Sequence, residues 1–379
     1  MRNCDVGKPS PRERVIRALR RNSTDGVPSC SRFTPGMMRI FNEQMKAGIP
    51  EEHLGDESLP SGFIETVRPS FLTPDDYFGW EVRHISLPAP AVGDFSRYLG
   101  ELPLGTVVNQ WGIAYIPGSM HHYKRRIYPL RDMTNPNELR QYPFPAPPAA
   151  EGVKAAVAAW HQDGVAVAGF LQQTLFELAW EMRGMEELLV DFYFNKAFAE
   201  ALLERITGIR AVMAASLCRA GVDILRLGDD LGTQRALLMN RKTWQEMLMP
   251  RLKRIIDAAR RANPDVLIFF HSDGFIEPII EDLIAIGVDV LNPIQPECMD
   301  IARLKAKFGD QLSFWGGVGT QTTMPFGTPA EVKKEVRRVI EVVGSDGGLL
   351  ISPSHALQPD VPWENVVSFF EAVAEYGRF

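Results

Sequence analysis

The chain has 379 residues, 45% of them hydrophobic and 23% charged, an ordinary globular composition long enough for two domains or one large α/β barrel with additions. A net charge of −6 offers no basic field to a nucleic-acid backbone or an anionic membrane, so a small neutral or modestly polar ligand, or a protein partner, is expected. Cys4, Cys30, Cys218 and Cys298 lack CxxC spacing, which excludes a disulfide framework and a cysteine-rich zinc module.

The first residues, MRNCDVGKPSPRERVIRALR, are charged and have no apolar core, and no stretch is apolar for long enough to cross a bilayer. The expectation is a cytoplasmic protein. PRERVIRALR reads as a helix and VPSCSRF (27–33) as a short strand. WEVRHISLPA and GTVVNQWGIAYIPG alternate as hairpin strands do. Trp111, Tyr115, His121, His122 and Tyr123 fall in this part and are placed as a roof over a ligand; HHYKRR (121–126) reads as a solvated loop. The proline-rich YPFPAPPAAEG (142–152) marks a change in character.

Beyond residue 150 short apolar runs recur: VAVAGFLQQ (165–173), DILRLGDDLG (223–232), VLIFFHSDG (266–274), DVLNPIQ (289–295), LSFWGGVGT (312–320) and GLLISPSH (348–355). Amphipathic helical stretches such as RKTWQEMLMPRLKRIIDAARRA separate them. Strands apolar on both faces and alternating with helices imply a parallel sheet wrapped by helices. The expected fold is α/β, a distorted (β/α)8 TIM barrel in one domain over 1–379, with helical and hairpin decorations in 1–150 and regular βα units in 151–379.

Nearly every run ends in polar or glycine residues, and in such folds the strand carboxyl ends face the ligand. His271 and Asp273 leave one strand end and His355 another. Imidazole and carboxylate are both zinc ligands, and three of them with an open fourth position make a catalytic site. His271, Asp273 and His355 are therefore a candidate metal set, with Glu297 or Cys298 as a further ligand. The competing assignment makes Asp273 the N-cap of the next helix. Asp229 and Asp230 are candidate proton-transfer or orienting groups, one of them at the mouth and the other a helix cap. Gln172, Gln234, Asn292, Gln295 and Gln358 supply neutral hydrogen bonds to a substrate, and Trp315 a stacking face. GGVGT (316–320) reads as a phosphate seat or as a close backbone approach.

FFHSDG, GVDVLNPIQP (287–296), WGGVGTQ (315–321), GTPAEV (327–332) and SPSHALQPDVPWEN (352–365) together resemble the uroporphyrinogen decarboxylase superfamily, in its corrinoid-dependent methyltransferase-like branch. The resemblance runs from PRERVIRAL to SFFEAV and implies a barrel with its site at the strand carboxyl ends. True decarboxylases carry a signature close to MRQAGRYLPE that holds the substrate's carboxylates, where this chain has CSRFTPGMMR with Arg32. Zinc methyltransferases of the branch use His-x-Cys and a later Cys; the matching residues here are His271, Asp273 and His355.

Harder ligands make the metal a stronger Lewis acid, suited to an oxygen substrate. The implied activity is zinc-dependent transfer of a methyl group from a methoxylated compound, in the first place an aromatic one, to the cob(I)alamin of a partner corrinoid protein. No D-x-H-x-x-G motif is present, so the cobalamin would come with the partner. Alternatives are a metal-independent lyase or decarboxylase of a small carboxylic acid or ring compound, methyl transfer from a corrinoid to a thiol or folate, and non-catalytic corrinoid or tetrapyrrole binding. A homodimer is a further expectation from the resemblance.

Overall fold

The structure is a computed structural model, and it describes residues 9–22, 24–54, 71–116 and 125–378. Cys4, His121, His122 and Tyr123 lie outside the described residues.

Seven strands form a parallel sheet: β1 (Val82–Ile85), β5 (Ala166–Phe170), β6 (Ile224–Gly228), β7 (Leu267–His271), β8 (Val290–Asn292), β9 (Ser313–Val318) and β10 (Leu349–Pro353), hydrogen-bonded in that order. Six of them are the apolar runs beyond residue 150, and they are buried along almost their whole length. Helices on the outside and packed side chains inside explain that double burial. The fold is a distorted (β/α)8 barrel.

The segment WEVRHI is not half of a hairpin: Val82–Ile85 pairs in parallel with Ala166–Gly169 and is the first stave of the barrel. Its near-complete burial overrides the alternating pattern that suggested a hairpin. The second segment does supply two antiparallel strands, β2 (Val107–Val108) and β3 (Ala114–Ile116), and β4 (Arg125–Ile127) completes their sheet, so Arg125 and Arg126 of HHYKRR are strand rather than the solvated loop expected there. Pro28–Cys30 lies between the two ends of the large sheet. Ile351 N–H donates to the Pro28 carbonyl and Cys30 N–H to that of Ile351, while Glu81 N–H donates to Ser29. The N-terminal part thus supplies two staves, and it carries Ser31 and Arg32 to the mouth.

Local signals set the helix starts. Ser10 and Thr328 each open a helix with a reciprocal capping box, to Glu13 and Glu331 respectively, satisfying amides that the first turn leaves without partners. At the opposite end of the barrel from the mouth, Asp223 accepts from Arg12, at 2.8 Å, and from the Val167 amide, and lies 2.9 Å from a His161 ring nitrogen. These bonds fasten the first helix under β5 and β6.

Candidate functional site

The register brings Gly228, His271 and Asn292 side by side on β6, β7 and β8. On β6 a glycine is required beside the histidine, since a Cβ on Gly228 would lie 2.6 Å from that of His271. His271 Nδ1 is 2.6 Å from Asn292 Oδ1, and Asn292 Nδ2 donates to the Trp315 carbonyl at 2.8 Å. A carbonyl only accepts, so the amide turns its NH2 to Trp315 and its oxygen to His271, which donates from Nδ1. Neutral His271 then has its lone pair on Nε2.

That nitrogen faces two carboxylates, Asp230 at 3.7 Å and Asp273 at 3.8 Å. Among the described residues, Asp230, His271 and Asp273 are the one group of three histidine, cysteine or acidic side chains whose ligand atoms all lie within 4.8 Å. The donor set suits a divalent metal ion: two hard oxygens, one imidazole, and a second ring nitrogen engaged as in many metal-bound histidines. Asp230 therefore joins His271 and Asp273 in this cluster, and His355 does not. His355 lines a neighbouring cleft instead, together with His271, Asn292 and Trp315.

Backbone bonds hold the acidic loops in place. Asp273 N–H donates to Asp230 Oδ1 at 2.9 Å, and Leu231 N–H donates to Ser272 Oγ at 2.9 Å. Gly274 N–H donates to Gln295 Oε1 at 3.1 Å. Asp273 is not a helix cap, because the following helical turn starts only at Glu277 and has no side-chain cap. The capping aspartate is Asp229, which accepts from the amides of Leu175 and Glu177 at the helix after β5. Burial pushes its carboxyl up to about 6, against the pull of those amides and of Arg210. Asp230, half exposed at the mouth, also has a raised pKa, first from the protein atoms around it and then from Asp273, offset by His271.

Glu177 had no place in the sequence reading. Burial, then the charges of Asp230 and Asp229, hold its carboxyl well above the usual carboxylate range. A glutamate in the first turn of a helix looks like an ordinary dipole partner, and the crossing from β5 to the β6 loop shows only in three dimensions.

The other polar residues are dispersed. Gln234 is at the rim, bonded to Gln321 and accepting from the Cys298 thiol. Glu297 accepts from Gln321 N–H and Thr322 Oγ1 rather than joining the acidic cluster. Gln172 has a buried Nε2 with no hydrogen-bond partner, and Gln358 is partly exposed in the stretch after β10. Trp315 is buried with its ring 5.1 Å from that of Phe269. At GGVGT the glycines serve packing: Gly316, at φ +128°, sits where a Cβ would be 2.1 Å from the Pro293 carbonyl oxygen. Of the aromatic roof, Tyr115 donates to Glu181 at 2.9 Å and the Trp111 ring lies 5.2 Å from the Arg210 guanidinium.

Beside the amides and aspartates, the cleft next to His271 also contains Arg32, His84 and Arg226. The sequence hid Arg226 and His84 inside apolar strands.

A methyltransferase from Methanosarcina mazei has the same fold, with a TM-score of 0.67 at 18% identity over 97% of this chain and 99% of that one. The uroporphyrinogen decarboxylase of Pelodictyon phaeoclathratiforme is 25% identical over 187 residues, 48% of this chain and 50% of that protein. The corresponding barley (Hordeum vulgare) enzyme is 26% identical over 180 residues, 46% of this chain and 52% of its own. The chain thus spans about half the length of the curated relatives it matches. The family model described as uroporphyrinogen decarboxylase (URO-D) matches residues 114–376, well over half of the chain, which therefore belongs to that family.

Proposed function

We propose that the chain is a metal-dependent methyltransferase, taking a methyl group from a methoxylated compound and delivering it to cob(I)alamin on a partner corrinoid protein. The observation that carries this reading is the Asn292-oriented His271, whose Nε2 faces Asp230 and Asp273. These three side chains would hold a divalent ion such as zinc, which would supply Lewis acidity toward the substrate's ether oxygen. In the overall reaction the methyl carbon–oxygen bond breaks with its electron pair left on oxygen, and the methyl group passes to the partner.

The chain's own residues do the rest. Asn292 fixes the His271 ring, and Gln295 and Ser272 hold the loops that carry Asp230 and Asp273. Glu177, whose carboxyl burial and the charges of Asp230 and Asp229 shift toward its protonated form, is the candidate proton donor for the departing oxygen. Asp229 shapes the site as a cap. The likeness in fold to the Methanosarcina mazei methyltransferase supports the reading.

The elevated pKa of Glu177 beside Asp230 favours one second reading, a metal-independent acid–base lyase acting on a carboxylic acid. Elemental analysis separates the two. The methyl-transfer reading expects about one divalent metal ion per chain, lost in His271→Ala and Asp230→Ala. It also expects demethylation of methoxyaromatics in the presence of a corrinoid protein, abolished by chelation. Protein that stays metal-free after zinc supplementation would leave the lyase in its place.

A further inference from the structure

Arg226 is 3% exposed and lies in the interior of the barrel, one side-chain layer below His271. Its neighbours in register are Phe170 and Phe269, with their ring centroids 5.7 and 4.4 Å from the guanidinium carbon, and Trp315 is 5.3 Å away. Among the described residues the one hydrogen-bonding partner of its side chain is His84, 3.1 Å from the Arg226 terminal nitrogen. Arg226 Nε is buried and has no partner among the described residues. No carboxylate among the described residues pairs with Arg226.

The groups facing it do not supply the missing negative charge. His84 stays neutral, its pKa held well below the ordinary value by burial and then by Arg226 and Arg32. The Cys30 thiol is pushed up to about 12 by burial. Burial and the charge of Arg32 lower Arg226 itself to about 9, which leaves it a cation at neutral pH. An arginine enclosed by aromatic faces and a second arginine, with no counter-charge among the described residues, is costly to keep in a fold. Such a group is retained where a ligand brings the anion.

We infer that Arg226, with His84 and Arg32 beside it, is the subsite for a carboxylate group of the ligand. All three line one cleft with His271, Asn292, Ser352, Ser354 and His355. A guanidinium presents paired N–H groups in the plane a carboxylate requires. The inference deepens the methyl-transfer reading and rests on it for the substrate class, a methoxylated carboxylic acid with its acid group in the barrel and its ether at the acidic rim. The subsite itself binds without metal and without turnover, so each idea can fail while the other stands.

The test is calorimetric titration of chelator-treated protein with benzoate, with its neutral isostere benzamide, and with inorganic phosphate. Saturable benzoate binding at one site, with benzamide and phosphate much weaker, is expected. Arg226→Met should weaken benzoate by roughly tenfold or more while raising the melting temperature of the ligand-free protein, because an uncompensated buried charge is gone. Arg226→Lys keeps the charge without the paired geometry and should fall between the two. It supplies the comparison if the methionine variant fails to fold. No benzoate binding, equal binding of benzamide, tighter binding of phosphate, or undiminished benzoate binding in the folded variants would each overturn the assignment.

Discussion

The two sides of the barrel mouth are built on opposite principles. On the acidic side, Asp229 and Asp230 sit in loops just past a strand end, and backbone amides donate to both. Negative charge there is anticipated by the main chain. On the basic side, Arg226 and His84 belong to strands β6 and β1, and Arg226 is enclosed by aromatic rings, with the His84 ring as its acceptor and no carboxylate beside it among the described residues. The backbone has supplied the acids with their hydrogen bonds, while the deep cation is left for something from outside. The contrast implies a ligand with polarity along its length, its anionic end in the barrel and its reacting atom at the rim.

The sharpest way to break that comparison is to remove the imidazole at the rim. His271→Ala or Asp230→Ala should abolish stoichiometric metal binding and lower activity by roughly 10²-fold or more, while His355→Ala keeps its metal because it stands outside the cluster. Metal analysis of the three proteins side by side decides this, and metal lost on removing His355 would restore it to the ligand set. A smaller effect is expected one step back. Asn292→Ala leaves all three donors but frees the ring, so metal affinity should drop by about 10–100-fold. Asn292→Asp, which still accepts from Nδ1, should retain most of it. Competition with a chelator of known affinity gives both values, and equal losses in the two variants would deny the orienting role.

The same contrast explains how much was legible beforehand. Periodicity located six of the seven sheet strands because burial on both faces writes an unbroken apolar run, as in VLIFF before His271. The seventh, β1, is written with two polar residues, Arg83 and His84, and so looked like an amphipathic hairpin. Rim residues such as Asp230, His271 and Asp273 follow directly after such runs, where polarity changes abruptly. Arg226 was visible only as a single charge in ILRLG, and nothing local tells an inward cation from an outward one without knowing which strands flank it. Which aspartate would cap a helix was also open, because Asp229 reaches the helix of the preceding βα unit rather than its own.

Asp229 offers the finest test, because its amides and its burial push in opposite directions. Its pKa rises from 3.8 to about 6, with burial the dominant cause. Between those values the folded protein holds a proton that the unfolded chain has released, so the stability contributed by the protonated carboxyl is fully present below 3.8 and is lost as pH rises through about 6. Asp229→Asn has no such titration and retains one acceptor oxygen. The difference in unfolding free energy, wild type minus variant, should therefore move in favour of asparagine by about 1 kcal/mol between roughly pH 5 and pH 7, and level off above. Subtracting the variant cancels the carboxylates that do not interact with Asp229, so urea denaturation at several pH values reads its titration together with its coupling to Glu177. A difference moving toward aspartate with rising pH would mean that the amides of Leu175 and Glu177 and the charge of Arg210 outweigh burial. In that case the acidic side of the mouth is built to hold its full negative charge even where the chain is most enclosed.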